Sequence, residues 1–178
     1  MMSDIKIFNP DSLGKPLGQY SHITRVRPWE LLFIAGQVGI DKDGKTPADF
    51  DGQCAQAFAN IGAALASQGA GFANLVEFTT YLVHSQDIAK FFAYRTREFP
   101  KLFPSGAYPP NTLLIIDRLV QEQFLIEVSA VAALYLCTTL RVVSLPRLRG
   151  RKVTRRDADS AARDRLVPRC RSHTLRRC

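Results

Sequence analysis

Two consecutive prolines followed by two apolar runs, over residues 108–134 (YPPNTLLIIDRLVQEQFLIEVSAVAAL), constrain the fold of this chain more than any other feature. Pro109 and Pro110 fix φ and remove two N–H donors. They also push the preceding backbone out of the helical region, so the chain must enter the next element extended. Residues 112–116 are β-branched and aliphatic, as a buried strand requires. After a polar turn at 120–123 the side chains alternate. Phe124, Ile126, Val128, Ala130 and Ala132 point one way, and Leu125, Glu127, Ser129, Val131 and Ala133 the other. The two runs are expected to pair as a hairpin. Glu127 stands inside the second, where an ionised carboxylate is costly unless a cleft, a partner or a proton relieves it. It is therefore a candidate functional group, and the pattern fits equally a glutamate on the wet face of an antiparallel sheet.

Upstream, residues 1–14 are polar and carry the turn signal Asn9-Pro10-Asp11, as in a loosely held arm, with one short strand possible at 6–8. A strand through Val26, a turn at Trp29-Glu30 and a strand over 31–34 suggest two antiparallel neighbours. The turn-rich loop at 41–51 ends in acids suited to a helix N-terminus, where backbone N–H groups lack partners. The helix that follows aligns Cys54, Phe58, Ile61 and Leu65 on one face, leaves Gln53 and Gln56 off it, and stops at Gly69-Ala70-Gly71. Residues 75–83 alternate as a strand with one buried face. A second helix is expected over 86–99, capped by Ser85 and stopped by Pro100, with Ile88, Phe92, Arg95 and Phe99 in one stripe. Arg95 among phenylalanines either snorkels to water or faces a cleft that holds an anion. Tyr20 either lines a cleft or sits at a strand edge with its hydroxyl in solvent. His22 and His84 have no neighbouring acid that marks an activated base.

The order β-β-α-β-α-β-β, without a repeat, a phosphate loop or a nucleophile elbow, suits an α+β domain with a mixed or antiparallel sheet and both helices on one face. The other sheet face would then be an aggregation hazard in a monomer, so a homo-oligomer is expected.

The net charge of +8 belongs to one end. Residues 1–136 hold 11 Lys and Arg against 13 Asp and Glu, whereas residues 137–178 hold 13 against 3. The domain is therefore placed at 1–136. The Arg-rich stretch at 137–178 has no sustained apolar period and is expected to be disordered. It is read as an inert tail or as non-native coding sequence, from a shifted reading frame or a leftover of cloning, ahead of a basic arm for RNA or acidic partners. No aromatic residue follows Tyr135 that could stack on bases. The first fifteen residues have no apolar core of a signal peptide, and no run is long enough to cross a membrane, so a cytoplasmic protein is expected. The four cysteines have neither CxxC nor zinc spacing, and no metal or cofactor is implied.

The segments GQYSHI at 18–23 and LFIAGQVGI at 32–40, with the run from Pro110 to Val128, resemble the Rid (YjgF-type) family, often labelled endoribonuclease L-PSP or translation initiation inhibitor. The resemblance spans roughly residues 15–135. It implies a chorismate-mutase-like fold, a homotrimer with ligand clefts between subunits and, in the best-known branch, hydrolysis of enamines and imines made by PLP enzymes. It further implies that Tyr20 lines the cleft and that Glu127 positions or activates water. Gly36, Gln37 and Thr112 fall in cleft-lining segments. Arg95 falls at a cleft position that is commonly an amide residue. Where the deaminating branch has an arginine that clamps the substrate carboxylate, this chain has Asn111. Losing that fork costs on the order of 1.5–3 kcal/mol of charge-assisted binding. The resemblance therefore implies an altered ligand preference, with Arg95 as the replacement cation for a small carboxylate or imine-type metabolite. A metabolite-binding regulatory relative without turnover, and an RNA-binding or endoribonuclease activity, stand as alternatives.

Overall fold

The computed structural model of the chain describes residues 5–135, so the readings of the tail at 137–178 lie outside the described residues. Eight elements follow one another. They are β1 (Lys6–Phe8), β2 (Ile23–Arg25), β3 (Glu30–Val38), α1 (Phe50–Ser67), β4 (Leu75–Leu82), α2 (Ile88–Leu102), β5 (Asn111–Ile115) and β6 (Ile126–Leu134). The expected arm is in part a strand, because β1 and β2 pair as an antiparallel ribbon. β2 does not pair with β3: Pro28 interrupts the chain between them, and Trp29 instead donates its N–H to the Leu134 carbonyl, extending the ladder of β3 with β6.

The four-stranded sheet runs β3-β6-β4-β5. The expected hairpin of β5 and β6 is absent. β5 lies parallel to β4, with α2 as the crossover that parallel neighbours require. β6 inserts between β3 and β4, antiparallel to both. The connection between β5 and β6 buries Leu119 and Phe124, so it is an anchored loop and not the two- to five-residue turn of a hairpin. Of the four strands β6 has the most regular apolar face, with Ile126, Val128, Ala130 and Ala132 buried, which suits it to a central position.

Asp49 caps α1 by accepting from the Gly52 N–H at 2.8 Å. The expected face of Cys54, Phe58, Ile61 and Leu65 is buried, and burial pushes the Cys54 thiol pKa well up, leaving it inert. Gln53 is buried as well, contrary to its expected place off the core face. Its Nε2 donates to the carbonyls of Pro47 (3.0 Å) and Gln123 (2.8 Å), and its Oε1 accepts from the Leu125 N–H (2.8 Å). Two expectations for α2 are corrected. Ser85 opens a short 3₁₀ turn and not the helix. Pro100 lies within the last turn, where it forgoes only its own N–H, and the Phe103 N–H still reaches the Phe99 carbonyl at 2.8 Å. The buried stripe is Phe91, Tyr94, Arg95 and Phe99, while Phe92 is 39% exposed.

Both helices pack on one sheet face around Phe58, whose ring meets those of Tyr94, Phe78 and Phe99 at 5.3–6.1 Å. Arg97 of α2 donates from Nη2 to both carboxylate oxygens of Asp51 of α1, at 2.7 and 2.8 Å, and from Nε to Glu98, an exposed clamp between the helices. The opposite face is uncovered by any element among the described residues. Leu31 (41% exposed), Phe33 (79%) and Leu114 (40%) lie there with Thr79, Tyr81, Thr112 and Val131.

Candidate functional site

The two faces of this sheet carry different halves of the candidate site. On the bare face, β3 has an extra residue against β6. Ile34 pairs with Ala130 and Gln37 with Val128, so Ala35 and Gly36 form a bulge beside Glu127. Glu127 is half-buried, lies between the inward-facing Ile126 and Val128, and is in register with Val38 on one side and Tyr81 on the other. A Cβ built at Gly36 would overlap the Glu127 carboxylate, so the side chain lies directly over the bulge, in the space a larger residue at 36 would take from it. Gln37 folds back, its Nε2 donating to the carbonyls of Ala35 (3.1 Å) and Gly36 (3.3 Å). Thr112 is exposed on the same face, in register with Thr79. Next to the bulge, a shallow cavity of about 380 Å³ is lined by Phe33, Ala35, Glu77, Thr79, Ser129 and Val131 among others.

On the helix face, Asn111 and Arg95 meet. Arg95 is 1% exposed, so it does not snorkel to water as one expectation had it. Its guanidinium lies over the Phe91 and Phe99 rings, at 5.4 and 4.8 Å from their centroids, and Nη1 donates to Asn111 Oδ1 at 3.3 Å. The Asn111 amide nitrogen is turned inward, donating to Thr80 Oγ1 (2.9 Å) and the Phe78 carbonyl (3.2 Å). Burial lowers the Arg95 pKa to about 10, opposed by Tyr20 and Tyr108 nearby. Tyr20 is half-buried; its hydroxyl accepts from the Leu17 N–H at 3.4 Å, and its ring meets His22 edge-on at 5.8 Å. The segment holding Tyr20 lies on α2: Gly18 packs at Phe92, and Gln19 Nε2 donates to Thr96 Oγ1 at 3.3 Å.

Sequence-expected residues thus gather into two groups, Gly36, Glu127 and Thr112 on the bare face, and Arg95, Asn111 and Tyr20 on the helix face, while Gln37, in register with the inward-facing Val128, falls on the opposite side from Glu127. One protomer does not bring the groups together, because the sheet stands between Glu127 and Arg95. Two members were missed. Tyr81 is in register with Glu127 only because β6 inserts beside β4, which no local pattern announces. Tyr108 comes near Arg95 from the proline turn. Among the described residues no helix is long and apolar enough to cross a membrane.

The sequence profile of the endoribonuclease L-PSP family matches residues 11–134. The RutC family protein YjgH of Escherichia coli (strain K12) is 30% identical over 112 residues, covering 63% of this chain and 83% of that protein. The RutC family protein slr0709 of Synechocystis is 27% identical over 133 residues, or 73% of this chain and 97% of that one. Among solved structures, the conserved Rid family protein YyfB from Yersinia pestis superposes with a TM-score of 0.65 at 28% identity, covering 74% of this chain and 99% of that chain. The YjgF gene product of E. coli shares the fold, with a TM-score of 0.54, 22% identity and coverage of 72% and 98%.

Proposed function

The chain belongs to the endoribonuclease L-PSP family, and from that premise we propose that it is a cytoplasmic homotrimer whose subunits enclose a small-metabolite pocket where imines or enamines are hydrolysed. The observation that carries this reading is the Glu127 carboxylate lying over the Gly36 bulge on a sheet face left uncovered among the described residues. A carboxylate on an apolar face is tolerated once a second copy closes a wet pocket around it. The opposite faces of Glu127 and Arg95 argue for the same assembly, since the two groups can only converge across a subunit boundary. The E. coli protein TdcF, which shares the fold with a TM-score of 0.55 at 21% identity and coverage of 72% of this chain and 98% of that one, was crystallised with bound serine, in keeping with a pocket of metabolite size.

In this mechanism Glu127 takes a proton from water as the oxygen adds to the imine carbon. That proton passes to nitrogen to give a carbinolamine, Glu127 then moves the hydroxyl proton to the amine as the carbon–nitrogen bond breaks, and ammonia leaves a carbonyl product. Backbone N–H groups at Gly36 and Gln37 and the Tyr20 hydroxyl are the donors for the developing charge, and Thr112 borders the pocket. No cofactor is needed. The test is ammonia release from an imine generated in the cuvette by a PLP-dependent dehydratase. Glu127→Gln should lower it by roughly 10²–10⁴-fold, and an unchanged rate overturns the reading.

A second reading, a metabolite-binding module without turnover, is favoured by Asn111, whose amide is spent on Thr80, Phe78 and Arg95 and leaves no charge at the position where the deaminating branch has arginine. Saturable ligand binding without ammonia release would select it. RNA binding stands as the alternative behind these two, and any RNA affinity of the chain is expected to be lost on deleting residues 137–178 while the oligomer persists.

A further inference from the structure

Arg95 is the largest side chain in the protein's fully buried set, and it is the one such group whose charge has no acid within salt-bridge reach among the described residues. Its hydrogen bonding is uneven. Nη1 is held by Asn111 Oδ1, while Nε and Nη2 are both buried without a partner among the described residues. The two orphaned nitrogens are not a random pair. In a planar guanidinium, Nε–H and the Nη2 N–H on the same side form two parallel donors, the edge that takes two coplanar oxygens at once. Buried donors are nearly always satisfied, and an empty pair in a sealed cationic group calls for an occupant.

The surroundings fit a planar anion. Phe91 and Phe99 stack on the guanidinium and keep it flat. Asn111, half-buried, fixes the far nitrogen and is itself fixed by Thr80 and the Phe78 carbonyl. The segment at 18–20 runs beside it: Tyr20 lies close enough to act on the Arg95 charge, and Gln19 Nε2 donates to Thr96, the next residue of α2. We propose that the Nε–Nη2 edge of Arg95 binds a ligand carboxylate bidentately once the 18–20 segment shifts, with Asn111 as the positioning residue that clamps Nη1. The proposal deepens the pocket reading above: it names the acid end of the metabolite and the group that grips it.

Titration calorimetry on the full chain tests this with acetate as probe and acetamide as its neutral isostere. Acetate should bind saturably, and acetamide at least tenfold more weakly. Arg95→Met should abolish acetate binding, and Arg95→Lys, which keeps the charge and loses the fork, should retain only a fraction of it. Asn111→Asp is the second variant, because it keeps the shape and supplies an internal acid to the guanidinium. It should weaken acetate at least tenfold, an effect no merely structural role for Arg95 predicts. Equal binding of acetate and acetamide, or unchanged acetate affinity in either Arg95→Met or Asn111→Asp, overturns the proposal. So does a change of oligomeric state in Arg95→Met, which would assign the fork to a carboxylate of a neighbouring copy. Glu127→Gln separates this proposal from the hydrolysis reading, since it should lose turnover and keep acetate. If it keeps turnover while Arg95→Met loses acetate, the carboxylate grip stands and hydrolysis by Glu127 falls.

Discussion

At the scale of single residues, Arg95 is held against its own interest. Burial lowers its pKa from the usual arginine range to about 10, so the charged form is penalised in the folded chain at every pH below about 10. Replacing it by methionine, which fills similar volume without a charge, should therefore raise unfolding stability, by about 1–4 kcal/mol on the precedent of buried charges exchanged for apolar groups. The pH dependence has a definite sign. Above about pH 10 the unfolded chain still holds a proton that the folded chain gives up, so stability gains from this group as pH rises, and Arg95→Met lacks that gain. Urea unfolding of both proteins at pH 7 and pH 10.5 checks it: the gap between them should narrow at the higher pH. A methionine variant less stable than the parent at pH 7 would mean that Arg95 is retained for structure. The sequence marked Arg95 as odd because it sat among phenylalanines. It did not reveal that Asn111 would be its hydrogen-bond partner, since that contact depends on α2 crossing back over the start of β5.

At the scale of elements, local signals were legible and pairings were not. The acids before α1, the stripe of Cys54, Phe58, Ile61 and Leu65, and the alternation of β4 and β6 all act within one or two turns of chain, and the structure repeats them. Strand neighbours are decided by which apolar faces find each other across the molecule, so β6 left its sequence neighbour β5 for the gap between β3 and β4. Gln53 shows how that choice is held. It hydrogen-bonds the Gln123 carbonyl and the Leu125 N–H, and so fastens the loop before β6 to α1. Gln53→Leu leaves these groups and the Pro47 carbonyl unpaired. It should cost about 1–3 kcal/mol, read as a lower urea midpoint, and should speed hydrogen exchange around Leu125. Unchanged exchange there would show that Leu119 and Phe124 anchor the loop unaided.

At the scale of the whole molecule, the sheet has one face covered by two helices and another that no element among the described residues covers. Phe33, the most exposed large hydrophobic on that face at 79%, lies on β3 two residues before the Ala35–Gly36 bulge over which Glu127 lies. If subunit contact covers this face, a charge at Phe33 must be desolvated on assembly, which costs several kcal/mol without a partner. Phe33→Glu should therefore yield monomers by light scattering, with secondary structure unchanged by circular dichroism because Phe33 is not part of the protomer's core. Ammonia release should fall with the oligomer, since Glu127 on one face and Arg95 behind the other would no longer meet. A monomer that keeps full turnover would place the whole reaction within one chain. A Phe33→Glu protein that stays oligomeric would move the subunit boundary to a different surface, and with it the pocket that Glu127 was assigned to serve.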